Sequence, residues 1–164
     1  MTRAVYGGID PGKSGAVAFL FLEREHNYVV DLPRTKDGKD YDLPALYEVL
    51  LTESNSAYPM TVALEQVTRP AKLTRCAGII EGMLTALEVS YTAATHIKVL
   101  PATWMRSLGL EAPHKKANSL ALARELYPEM ADQLTRAKDD GRAEAILIAH
   151  YLRQEMAKKK RGRG

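Results

Sequence analysis

Two apolar runs of strand length, Ala4 to Ile9 and Ala16 to Leu22, flank the segment Pro11-Gly12-Lys13-Ser14-Gly15. Nothing else in the chain constrains the fold as much, because a Pro-Gly turn between such runs folds one strand back on the other. Charged Glu23, Arg24, Glu25 and His26 make a second turn before Tyr28-Val29-Val30-Asp31-Leu32. The chain is therefore expected to open with three antiparallel strands. After a polar loop from Pro33 to Asp40 the period changes, and Leu43, Leu46, Tyr47, Leu50 and Leu51 recur at helical spacing. Thr61-Val62-Ala63-Leu64 reads as a buried strand ending at Glu65, and Ile79, Ile80, Met83, Leu84 and Leu87 as a second helix. Ile97 to Leu100 is a fifth strand, halted by Pro101. A short helix over 102–108 and a longer one over 116–126, stopped by Pro128, lead to a final helix from near Asp139 to about Ala157. This order predicts an α/β fold: a mixed five-stranded sheet, three antiparallel strands then strand-helix-strand, with helices on both faces.

The 164 residues suit one domain with a sizeable core, expected over 1–157 and followed by a basic, flexible tail over 158–164. The longest apolar run, Ala16 to Leu22, has seven residues, far short of the roughly 18 to 20 that span a bilayer, and no export signal is evident. One cysteine, Cys76, excludes a disulfide framework, so the expected location is the cytoplasm. The tail holds five of the 23 basic residues, which leaves 18 basic against 20 acidic in the body. Basicity concentrated in an appendage is the pattern of a segment that grips phosphate backbones without reading sequence.

Gly7-Gly8-Ile9-Asp10-Pro11-Gly12-Lys13-Ser14-Gly15 matches the nucleotide-binding pattern G-x-x-x-x-G-K-[ST] letter for letter. That motif works only where a helix starts at its lysine and presents N–H groups to the phosphates. Here the following segment is strand-like, which predicts that the anion-binding helix is missing. The same residues also deliver one carboxylate, Asp10, from a strand into a turn.

Asp10 and Glu65 each close an apolar strand, where an unpaired carboxylate is costly to desolvate. A third acidic group lies in Lys138-Asp139-Asp140-Gly141-Arg142-Ala143-Glu144. Asp140 and Glu144 share a helix face that Leu147 and Tyr151 continue. Acids so placed repel one another, and a divalent cation relieves the repulsion. All-oxygen ligands suit Mg²⁺ or Mn²⁺, and two such ions about 4 Å apart can clamp the attacking and leaving oxygens of a phosphodiester.

Three segments, Gly8-Ile9-Asp10-Pro11-Gly12, Leu64-Glu65-Gln66-Val67 and Asp139-Asp140-Gly141-Arg142-Ala143-Glu144-Ala145, together resemble the RuvC-type Holliday junction resolvases of the ribonuclease H-like nucleases, most of all their bacteriophage branch. The resemblance implies a homodimeric, Mg²⁺-dependent endonuclease that nicks opposing strands of four-way DNA junctions, in recombination, repair or phage genome processing. Asp10, Glu65, Asp140 and Glu144 would be its metal-binding catalytic carboxylates, with Mn²⁺ able to replace Mg²⁺ and no nucleotide cofactor. If phage-encoded, it would act in the host cytoplasm. In the cellular branch the two helix acids are usually three apart and both Asp; here they are four apart and the second is Glu. Many relatives carry Phe after E-Q-V, where this chain has Thr68. Asp139, five before Glu144, falls on another helix face and suits an N-cap or a supporting acid.

Arg69, Lys72 and Arg75 read as a basic loop beside Glu65, along which a DNA strand would pass. Lys115 and Lys116 open a helix, where lysine is disfavoured unless an anion binds, and resemble the family's basic position near the cut; Arg106 resembles a second. Lys13 completes the set of expected DNA contacts. His150 lies about 240° around the helix from Glu144 and reads as a core histidine. Trp104 and Tyr151 read as packing residues. Two other classes stay open on sequence alone: a P-loop or actin-like phosphotransferase, and a non-catalytic DNA-binding module.

Overall fold

A computed structural model describes residues 4–22, 26–54, 58–110 and 116–162, the side chain of Lys116 excepted. The apolar runs become strands β1 (Val5–Asp10) and β2 (Ala16–Phe21), fully buried along their lengths, and β3 (Tyr28–Asp31) follows. Helix α1 (Leu43–Ser54) leads to β4 (Met60–Glu65), and α2 (Ala71–Ser90) to β5 (Ala94–Val99). Then come α3 (Pro101–Ser107), α4 (Lys116–Leu126), two 3₁₀ segments at Pro128–Gln133 and Ala137–Asp139, and α5 (Asp140–Arg161).

The sheet order is β3-β2-β1-β4-β5. β1, β2 and β3 pair antiparallel, whereas β4 lies parallel to β1 and β5 parallel to β4. This is the expected mixed five-stranded sheet. Its two faces carry two cores, since side chains alternate along each strand. On one face Tyr6, Ala18, Leu20 and Ala63 pack with Trp104, Ala123, Ile146 and Leu147. On the other, Val5, Ile9, Val62 and Leu64 pack with Leu46, Leu50, Ile80 and Leu84. The α5 helix lies against β1 so closely that a β-carbon on Gly8 would stand 2.2 Å from the Ala145 carbonyl and 2.3 Å from the Ala149 nitrogen.

Three boundaries differ from expectation. β5 starts at Ala94, three residues before Ile97, because this edge strand is buried only at its two ends, Ala94 and Val99, and has no continuous apolar run. α2 begins at Ala71, so Lys72 and Arg75, expected in a loop, stand on its first turns. α5 continues to Arg161, and the expected division at 157/158 falls inside the helix. Its last turn holds Lys158, Lys159, Lys160 and Arg161, all good helix formers whose charge complements the C-terminal end of the helix dipole. Among the described residues no helix is long and apolar enough to cross a membrane.

Candidate active site

Asp10 and Glu65 end two adjacent parallel strands whose register pairs Ile9 with Leu64, one step earlier. Ile9 and Leu64 point into the α2 side of the sheet, so the next residue on each strand points to the α5 side. Apolar alternation thus aims both carboxylates at the same helix. That helix starts with Asp140 and carries Glu144 one turn later. A β-carbon on Gly141 would stand 3.1 Å from Asp10 Oδ2 and 1.8 Å from the Ser14 carbonyl, so only glycine allows the helix start to come this near the β1–β2 turn.

Burial is strong for acids: Asp10 is 7% exposed and Asp140 4%. The Gly12 N–H donates to Asp10 Oδ1 at 2.8 Å, which fixes that side chain across the turn. Glu65 Oε2 accepts from the Trp104 indole at 2.8 Å. Burial pushes the Glu65 carboxyl up to about 7, and the charges of Asp10 and Glu144 add to the rise, against the lowering effect of the indole bond. Glu65 thus feels two of the other three acids, Asp10 and Glu144, which puts these in one electrostatic neighbourhood. Among the described residues no three such side chains converge tightly enough to cage a metal ion. Asp10 is turned toward the Gly12 N–H and Glu65 toward the Trp104 indole.

Asp139, 3% exposed, occupies the N-cap position of α5, but its carboxylate reaches back to Arg136. It accepts from the Arg136 backbone N–H at 2.8 Å and from the guanidinium at 2.6 and 2.9 Å. These bonds hold its carboxyl below the usual range. Asp139 is therefore committed to the turn before α5. His150 is a core residue, bonded to the Tyr127 hydroxyl at 2.8 Å and to Gln154 at 2.9 Å, and burial lowers its pKa.

Of the expected DNA contacts, Lys13 is exposed in the β1–β2 turn, and Arg69, Lys72 and Arg75 are exposed along the segment after Glu65. Arg75 stands 3.9 Å from Asp40 in a surface ion pair. Arg106 is exposed on the last turn of α3, Lys116 opens α4, and Lys115 lies outside the described residues. A trough of about 440 Å³ runs beside Glu65, with Gln66, Thr68, Thr74, Gly78 and Lys98 in its walls.

Several supporting residues escaped the sequence. Trp104 packs in the core as expected and also anchors Glu65; a buried indole needs an acceptor, which is the one signal that could have revealed it. Arg34 donates to the carbonyls of Gly12 at 3.0 Å and Lys13 at 2.9 Å while lying 4.3 Å over the ring of Tyr41. The Tyr41 hydroxyl donates to the Pro11 carbonyl at 2.8 Å. Together they brace the turn that holds Asp10. Arg142 binds Asp31 at both oxygens, 2.6 and 2.8 Å, and so ties α5 to β3.

The sheet order and strand directions match a ribonuclease H-like α/β fold of the RuvC kind. A solved structure of Thermus thermophilus RuvC superposes with a TM-score of 0.57 at 18% identity, covering 92% of this chain and 96% of the other. A second, T. thermophilus RuvC in complex with its Holliday junction substrate, gives 0.54 at 16%, covering 90% and 91%. No family model matches the chain, and neither does any curated protein.

Proposed function

We propose that this chain is a divalent-metal-dependent endonuclease that cuts four-way DNA junctions, working as a homodimer so that two sites nick opposing strands. One observation carries the reading: in a RuvC-like fold, the acids at the ends of β1 and β4 face the helix that carries Asp140 and Glu144. The donor set is all carboxylate oxygen, which fits Mg²⁺ or Mn²⁺, and a cation there would offset both the burial that chiefly raises the Glu65 pKa and the smaller repulsion from Asp10 and Glu144. Asp10, Glu65, Asp140 and Glu144 would hold the metal, two ions per site. Bound ions would supply an activated water and charge neutralisation at the phosphate. The protein's own part is placement: the Gly12 N–H and the Arg34–Tyr41 brace set Asp10, Trp104 sets Glu65, and the Gly141 contact sets the start of α5. Arg69, Lys72, Arg75, Arg106, Lys115 and Lys116 would hold the arms of the junction, and Lys13 the strand nearest the acids. The resemblance to the bacteriophage branch supports a role in phage genome processing.

The P-loop form of the phosphotransferase reading loses its support in the structure, because Ala16–Phe21 after the glycine-rich turn is a strand. No helix starts at Lys13 to receive a nucleotide phosphate. The deciding experiment is a gel of a labelled four-way junction against linear duplex, with and without Mg²⁺. Asp10→Asn is expected to abolish cleavage while junction binding persists, and Lys13→Ala to retain substantial cleavage. Protein that binds junctions and leaves them intact in Mg²⁺ and Mn²⁺ is a binding module instead. An ATPase lost in Lys13→Ala and kept in Asp10→Asn would restore the nucleotide reading.

A further inference from the structure

A cleft of about 260 Å³ opens between the β1–β2 turn, the end of β3 and the 3₁₀ segment before α5. Lys13, Arg34, Arg136 and Lys138 bring four cations to it, and Asp31 and Asp139 two carboxylates. Both carboxylates are already matched: Asp31 by Arg142, which accounts for its two oxygens, and Asp139 by Arg136. Among the described residues Arg34 is hydrogen-bonded only to carbonyls, which leave its charge uncompensated, and the exposed ammonium groups of Lys13 and Lys138 have no acidic partner. Three positive charges therefore share one concave site without counter-charges, next to a strongly acidic one.

We propose that this cleft is a phosphate subsite, holding the DNA phosphodiester that adjoins the one at the carboxylates; the assignment of its neighbour rests on the nuclease reading above. Chain geometry sets the adjacency. Lys13 follows Asp10 by three residues and Lys138 precedes Asp140 by two, at most about 11 Å of backbone in either case. The two sites thus share both of their walls, the β1–β2 turn and the entry to α5. A strand crossing from the acids to the cleft meets negative, then positive, potential, which fixes which phosphate lies among the acids. The lysine of the glycine-rich motif then does contact phosphate, as a point charge in a polynucleotide site.

The test measures binding of a fluorescent four-way junction to the full chain in EDTA across a KCl series. The double variant Lys13→Gln/Lys138→Gln is expected to reduce the slope of log K against log salt by about one, for the one phosphate contact that both lysines make. An unchanged slope overturns the proposal. A neutral methylphosphonate is then placed in turn at each phosphate around the crossover. At one position wild type should lose affinity and the double variant should not, whereas equal losses in both proteins at every position also overturn it. Cleavage by wild type in Mg²⁺ is scored separately. An uncut junction removes the nuclease reading, and the slope and methylphosphonate results still judge the cleft.

Discussion

Glu65 combines burial, two acidic neighbours and a single strong donor, and its ionisation shows how the site is built. Its pKa rises from an ordinary 4.5 to about 7 through burial first, then Asp10 and Glu144. In metal-free protein the folded state therefore binds this proton more tightly than the unfolded chain does. That contribution to stability is complete below about pH 4.5 and is lost as pH rises through about 7. Glu65→Gln keeps the shape and the indole bond and removes the charge. In EDTA at pH 8 the variant should exceed wild type in stability by up to about 3 kcal/mol, while at pH 4.5 the two should coincide. Thermal melts at both pH values check this, and a difference independent of pH would refute the assigned cause. Mg²⁺ at pH 8 should raise wild-type Tm and leave Glu65→Gln nearly unmoved, since its ligand set has lost one charged oxygen donor.

Among the elements, the contact of β1 with α5 fixes the site, and it depends on Gly8. A methyl group there would meet backbone atoms of Ala145 and Ala149, which have no rotamer by which to yield. Gly8→Ala should cost at least about 2 kcal/mol and, by lifting α5, separate Glu144 from Asp10. Urea unfolding with a parallel cleavage assay tests both parts. Stability near wild type would mean that the helix can slide. Much of this layer was legible in the sequence. The buried strands β1, β2 and β4 announce themselves as apolar runs, and an acid closing such a run stands out. β5 and the start of α2 were less legible, because the edge strand exposes Thr95, Ile97 and Lys98, and α2 opens with exposed Lys72, Thr74 and Arg75. The supporting side chains were not legible at all. Trp104 reaches Glu65 across 39 residues, Arg34 reaches Gly12 across 22, and Arg142 reaches Asp31 across 111, so no local pattern encodes these pairs.

At the scale of the molecule, charge is segregated: an acidic centre at the strand ends, cations around it, and a basic turn at the far end of α5. That last turn holds Lys158, Lys159, Lys160 and Arg161, exposed throughout. As a flexible tail, these residues could all settle on one DNA backbone. On a helix, successive residues point about 100° apart, so four cations surround the axis and roughly half can face any one duplex. Lys158 is also partnered by Glu155 at 2.6 Å, one turn earlier. Truncation after Ala157 should therefore lower the salt slope of junction binding by about two, fewer than the number of charges removed. Cleavage at saturating DNA should not change, since the truncated turn lies about 20 Å or more of helix beyond Glu144. A drop of four or more would show the turn unwinding onto DNA. No drop would make the basic end a solvated cap, leaving junction affinity to the cations near the carboxylates.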